Sequence, residues 1–182
     1  MRDLVIPGLA LPKVVGVSRL GEPIYEVAGG AITGKWYGKT ILNAFGSSSS
    51  GNAPNIDYLS DTLKAMATTS SYSPDQDAHD FKDDVTNEVA SGSGYTTGGV
   101  TLTGKVASYD GASNTIGFTA DPIVWAAASF TFRRVVIYDD TPGTDATKPL
   151  IGWFDMGTDV TGLGGNVTLT PNASGLFIVV IA

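Results

Sequence analysis

Phe130-Thr131-Phe132-Arg133-Arg134-Val135-Val136-Ile137-Tyr138 is the stretch on which the fold turns. It is rich in β-branched and aromatic side chains and holds no Gly or Pro, so it reads as a strand. Its apolar positions do not alternate simply. Phe130 and Phe132 mark one face, Val135 and Ile137 the other, with the two arginines between. A bulge or a change of buried face at Arg133-Arg134 reconciles the two patterns.

The same signals recur outward from this stretch. On the C-terminal side, Asp139–Thr147 is a loop rich in Asp, Thr, Pro and Gly, and Leu150–Phe154, Asn166–Thr170 and Leu176–Ile181 supply the last strands. On the N-terminal side, Ile123–Ala127 is a strand. Lys105–Tyr109 and Thr115–Thr119 flank the turn-rich Asp110-Gly111-Ala112-Ser113-Asn114 and predict a hairpin. Val100-Thr101-Leu102-Thr103 alternates. Over Asp57–Thr69 the apolar residues fit a helix through Leu59, Leu63 and Met66, or a strand through Leu63, Ala65 and Ala67. Thr68-Thr69-Ser70-Ser71 is poor helix material and favours a strand over the second half. Strands so spaced, without intervening helices, predict a mainly β chain: an antiparallel β-sandwich or barrel-like domain with one or two short helices and an extended N-terminal arm.

The helices are expected at two places. Trp36, Tyr37, Ile41 and Phe45 are near helical spacing. Ser73-Pro74-Asp75-Gln76 reads as a helix start, with Ser as N-cap, Pro at the first position and Gln closing a capping box. Asp75 and Asp77 suit the helix dipole there, and the helix is expected to run to about Phe81.

The arm is residues 1–35. Pro7 and Pro12 forbid a continuous helix in its apolar opening, so extended structure is expected. Val14–Val17 and Ile24–Val27 around a Gly/Pro turn suggest a hairpin. Leu4, Val5, Ile6, Leu9, Leu11, Val14, Val15 and Val17 are the candidate contact residues. They either tuck into the chain's own domain or dock on a partner. Residues 36–55 form a junction whose Gly46–Asn52 is Ser/Gly-rich, as a linker or an ordered loop is. The β domain spans 56–182. Its closing run, Leu176 to Ile181, is apolar on both alternating faces and is expected to be buried on both sides, inside a sandwich or between subunits. Ile178 and Val180 are the candidate oligomer contacts.

Composition narrows the function. The chain has 182 residues, 42% of them apolar and 16% charged, enough to bury a core. Its net charge is −7, and the eleven basic residues are scattered, so nucleic-acid binding is not expected. No apolar run approaches the ~20 residues of a membrane span, and no clean signal peptide is present. There is no Cys, which removes disulfides, thiol nucleophiles and Cys-based zinc sites. The single His, His79, lies among Asp75, Asp77, Asp80, Asp83 and Asp84. A calcium site there competes with a capped helix whose acids face water, and the spacing does not match an EF-hand loop. Neither a Gly-x-Ser-x-Gly elbow nor a P-loop occurs. No cofactor, metal or catalytic function is expected. Trp36, Trp125 and Trp153 are candidates for sugar stacking, or for core packing.

Three runs carry a resemblance. They are Thr69-Ser70-Ser71-Tyr72-Ser73-Pro74-Asp75-Gln76-Asp77-Ala78-His79-Asp80-Phe81, Asp84-Val85-Thr86-Asn87-Glu88-Val89 and Gly94-Tyr95-Thr96-Thr97-Gly98-Gly99. With Val135–Thr141 and Pro149–Asp155, they make residues 56–182 resemble a family of tailed-phage virion structural proteins, described as minor capsid or decoration-type. The arm, through Val14-Val15-Gly16-Val17-Ser18 and Tyr25-Glu26-Val27-Ala28-Gly29-Gly30, is similar to the openings of other phage virion proteins, although family members often lack it. The resemblance implies a non-enzymatic accessory protein on the capsid surface, present in the host cytoplasm during assembly. It implies the major capsid protein as partner, reached through the arm, and a homo-oligomer, with a trimer expected by analogy. A tail-associated receptor- or glycan-binding protein is the alternative.

Overall fold

In chain order the computed structural model shows strands β1 (Leu4–Val5), β2 (Gly16–Val17), β3 (Pro23–Ile24) and β4 (Thr33–Trp36), then the helix α1 (Thr40–Phe45). There follow β5 (Leu63–Thr68), β6 (Val100–Thr101), β7 (Val106–Asp110), β8 (Thr115–Thr119), β9 (Ile123–Ala128) and β10 (Thr131–Asp139). The chain ends with β11 (Leu150–Thr161), β12 (Gly165–Leu169) and β13 (Phe177–Val180). The structure describes residues 4–5, 16–17, 23–24, 32–45, 55–172 and 175–181. The expected linker Gly46–Asn52 lies outside them.

Every described strand pair is antiparallel. The main sheet has the order β1-β4-β11-β10-β5-β6, with β10 and β11 at its centre. A second sheet runs β13-β8-β7, and two ribbons pair β12 with β9 and β2 with β3. The main sheet is covered on both faces, so the architecture is sandwich-like. On one face Ala65, Val135 and Phe154 pack with Trp125, Val167 and Phe177 from the other strands. On the other, Met66, Val136, Tyr138 and Trp153 pack with Tyr37 and Tyr72. This is why Val135, Val136, Ile137 and Tyr138 are all fully buried. An apolar run without alternation is the pattern of a strand covered on both sides.

The irregularity expected at Arg133-Arg134 is present. Phe132 pairs with Val160 and Arg134 with Asp155, so Arg133 stands against Met156, Gly157, Thr158 and Asp159. Gly157 supplies a left-handed φ of 75° at that point. The shift brings Phe130, Phe132, Val135 and Ile137 into one core. A second shift lies where Ile137 pairs with Gly152 and Tyr138 with Leu150, leaving Ile151 as the extra residue. It lets Leu150 and Ile151, adjacent in sequence, enter opposite cores.

The hairpin β7–β8 closes over Asp110, whose carboxylate accepts the Ala112 N–H at 2.9 Å and the Ser113 hydroxyl at 2.7 Å. The expected pairing in the arm is present as β2–β3, Gly16 opposite Ile24. β4 crosses the 35/36 boundary and joins the main sheet through β11.

Three expectations need correction. The helix over Trp36–Phe45 starts only at Thr40, because Trp36 is committed to β4. The helix from Ser73 is a single turn, in which the His79 N–H bonds the Asp75 carbonyl at 3.1 Å. Asp75, not Ser73, caps it by accepting the N–H groups of Asp77 and Ala78 at 3.0 Å each, and Gln76 donates to the Trp36 carbonyl instead of closing a box. Asp84 then takes the N–H groups of Asp80 and Phe81, and a short 3-10 turn at Lys82–Asp84 ends the segment. The closing run is buried only at Leu176 and Phe177; Ile178 and Val179 are half-buried, and Val180 and Ile181 are exposed. Among the described strands β13 lies at one edge of its sheet, with β8 as its one neighbour.

Candidate attachment surface

The segment where the arm joins the β domain is built from β4, α1 and the loop 72–81. Tyr37 leaves β4 with its N–H on the Ile151 carbonyl at 3.1 Å. The Thr40 hydroxyl lies 2.7 Å from the Ile151 carbonyl and 3.1 Å from that of Leu150. These bonds turn the polar side of α1 inward: Thr40 and Asn43 are buried. Ile41 and Leu42 face out, 47% and 51% exposed. This is the reverse of an ordinary amphipathic helix. The cause is local. Strand carbonyls on β11 need donors, and a threonine hydroxyl supplies one where an isoleucine has none.

The loop 72–81 holds this junction from the other side. The Gly38 N–H donates to the Gln76 carbonyl at 2.9 Å, and the Gln76 side chain donates to the Trp36 carbonyl at 2.9 Å. Lys39 pairs with Asp80. Tyr37 and Tyr72 are joined hydroxyl to hydroxyl at 2.9 Å, and the Tyr72 hydroxyl lies 3.0 Å from Nδ1 of His79. The Asp75 N–H also points at that Nδ1, at 3.2 Å. In the neutral imidazole the proton therefore sits on Nε2, and the hydroxyls donate in the order Tyr37, Tyr72, His79. Burial pushes the Tyr72 hydroxyl up to about 12 and Tyr37 higher still, so both keep their protons as donors.

The second exposed apolar region is the sheet β13-β8-β7. Its β7 edge is exposed along its whole length. Val106 and Tyr109 on β7 and Val180 and Ile181 at the end of the chain are large apolar side chains open to solvent. Ile178 and Val180, the candidate oligomer contacts, lie on one face of β13, half-buried and 62% exposed respectively.

Of the candidate arm contacts, Leu4 and Val5 form β1 and pair with Gly34 and Thr33 of β4. Val17 lies in β2. Ile6, Leu9, Leu11, Val14 and Val15 fall outside the described residues. Trp125 and Trp153 are core residues, and Trp36 packs on Phe118 and Phe177 with ring centroids 6.0 and 4.6 Å away. The acids around His79 are engaged individually: Asp75 and Asp84 with backbone N–H groups, Asp80 with Lys39. Among the described residues no three His, Asp or Glu side chains converge as metal ligands do.

Sequence reading missed Ile41 and Leu42 as surface residues, since apolar residues at helical spacing are normally assigned inward. The available signal was Thr40, a residue whose hydroxyl can serve a neighbouring strand. No protein family, curated protein or solved structure matches this chain.

Proposed function

We propose that the protein is an accessory structural component of a tailed-phage capsid, bound to the shell through its N-terminal arm and the junction that follows it. The observation that carries this reading is the outward turn of Ile41 and Leu42 at the root of an apolar arm, with polar Thr40 and Asn43 turned inward. An apolar pair beside an apolar arm suits a protein partner, and the resemblance of residues 56–182 makes that partner the major capsid protein. The role is mechanical: strand addition and apolar contact hold the β domain to the shell. The exposed ends of β13 and β7 suit contact between copies, and a trimer on the capsid surface fits that use.

The test is removal of residues 1–30, which spares β4 and its pairing with β11. The truncated protein is expected to fold and to be lost from purified particles. Incorporation at the full-length level would overturn the proposal.

A further inference from the structure

His79 is the one histidine of the chain, and histidine is the side chain whose charge changes most readily near neutral pH. Its Nδ1 is the meeting point of two donors. One is the Asp75 N–H at 3.2 Å, a backbone amide that can only donate. The other is the Tyr72 hydroxyl at 3.0 Å, on a ring that lies nearly parallel to the imidazole, 16° between the planes. Behind Tyr72 stands Tyr37, 1% exposed, whose hydroxyl has Tyr72 as its one hydrogen-bond partner among the described residues. The chain of donors therefore ends on a nitrogen lone pair and has no exit at its other end.

We propose that His79 is a proton-operated tether: neutral, it ties the loop 72–81 to Tyr72; protonated, it lets the loop go and loosens the root of the arm. A protonated imidazole is a donor at both nitrogens. Nδ1–H then confronts the Asp75 N–H. Tyr72 can accept from it only by turning its own proton on Tyr37, and Tyr37 is left with a buried proton and no acceptor. The charged groups around the ring do not repair this. Asp75 and Asp84 are near enough to feel its charge, but their carboxylates hold the N–H groups of Asp77 and Ala78 and of Asp80 and Phe81. Asp80 is paired with Lys39, Asp77 and Asp83 are exposed, and Arg134 of β10 donates to the Tyr72 carbonyl. These acids attract a cationic ring without offering it an acceptor where it stands, so the ring swings out. The path to the arm's root is short. The His79 N–H closes the turn on the Asp75 carbonyl at 3.1 Å. Inside that turn Gln76 holds Gly38 by its carbonyl and Trp36 by its side chain, at 2.9 Å each.

The test is an NMR titration of the full chain. The nitrogen shifts of the His79 ring report its tautomer and its protonation midpoint. The Asp75 amide shift and the exchange protection of the Gly38 amide, relative to the free-chain rate at each pH, report the tether. The neutral ring is expected as the Nε2–H tautomer. Through the ring's own midpoint the Gly38 amide should lose about tenfold in protection, the size of one net hydrogen bond, and the Asp75 amide should shift in step. His79→Asn keeps an uncharged acceptor near the Nδ1 position and should retain the protection with no step. A neutral ring protonated on Nδ1 overturns the proposal. So does a Gly38 amide whose protection is unchanged through the ring's midpoint, whether or not the variant folds. A step of the same size in His79→Asn overturns it too, because the neighbouring acids alone would then cause it.

Discussion

Arg133 and Arg134, neighbours in the chain, hold the same carboxylate: Asp155 Oδ1 is 2.6 Å from Nε of Arg133, and Oδ2 is 3.1 Å from Nε of Arg134. In a regular strand adjacent side chains point to opposite faces. Here the register shift after Phe132 turns both to one side. The same carboxylate accepts the Gly157 N–H at 2.8 Å, and Arg134 also donates to the Tyr72 carbonyl. Asp155 therefore fixes the shift that gathers Phe130, Phe132, Val135 and Ile137 into one core.

Asp155→Asn should destabilise the protein by about 2 kcal/mol at pH 7, because it leaves two largely covered guanidinium groups without their anion. Burial raises the carboxyl, but the Gly157 N–H and the two arginines outweigh it, and the net displacement is downward. A lowered acid contributes stability above its unfolded pKa and loses it as pH falls through the folded one. The gap between wild type and variant should thus be widest at neutral pH and close in acid. Denaturant melts at several pH values measure it. A gap that stays constant down to strongly acid pH would show that the charge plays no part.

Gly152→Ala should cost about 1–3 kcal/mol, the range for overfilling a packed core. A Cβ at Gly152 would lie 2.5 Å from the Phe177 ring and 2.6 Å from the Lys35 carbonyl. Phe177 is fully buried and stacks on Phe154 with centroids 5.2 Å apart, so its ring has little room to retreat. Shortening Phe177 to Leu in the same chain should recover part of the loss if the ring is the obstacle. A double-mutant cycle by thermal melting separates the ring from the Lys35 backbone. Strict additivity would assign the cost to the backbone contact alone.

Much of this fold was legible in the sequence, and the reasons differ by element. β10 announced itself through its unbroken β-branched run, and the irregularity at its arginines followed from the face conflict between Phe132 and Val135. The β7–β8 hairpin followed from Asp110 and its turn. The segment from Ser73 was misread because the Ser-Pro-Asp-Gln pattern carries two possible caps, and only tertiary contact sends Gln76 to Trp36. The closing run was misread because apolarity on both faces does not reveal which end of a strand protrudes. At the attachment surface, the arm's apolar character was plain, whereas the outward Ile41 and Leu42 depend on β11 carbonyls that lie more than a hundred residues away.

Ile41→Lys with Leu42→Lys should leave stability within about 0.5 kcal/mol, as is usual for exposed positions. Under the attachment proposal the same pair should sharply reduce the protein recovered with purified particles. Melting curves and particle pull-down of the same preparation are read together. A variant that is equally stable and fully incorporated would remove α1 from the contact and leave the arm alone to carry it.

Ile178 and Val180 divide the question of self-association between them. They share one face of β13, but Ile178 is half-buried opposite Gly117 while Val180 stands free opposite Thr115. Val180→Lys should therefore spare the fold. Ile178→Lys should cost about 1–2 kcal/mol from the apolar area it takes back into water. If copies associate through this edge, the wild type should sediment faster as its concentration rises, and Val180→Lys alone should hold it as a monomer. The single substitution is the informative one, because a double change confounds unfolding with dissociation. Association undiminished in Val180→Lys would move the contact to the other edge, β7, where Val106 and Tyr109 are the next residues to replace. A wild type that stays monomeric through the whole dilution series would mean that only the shell brings copies together.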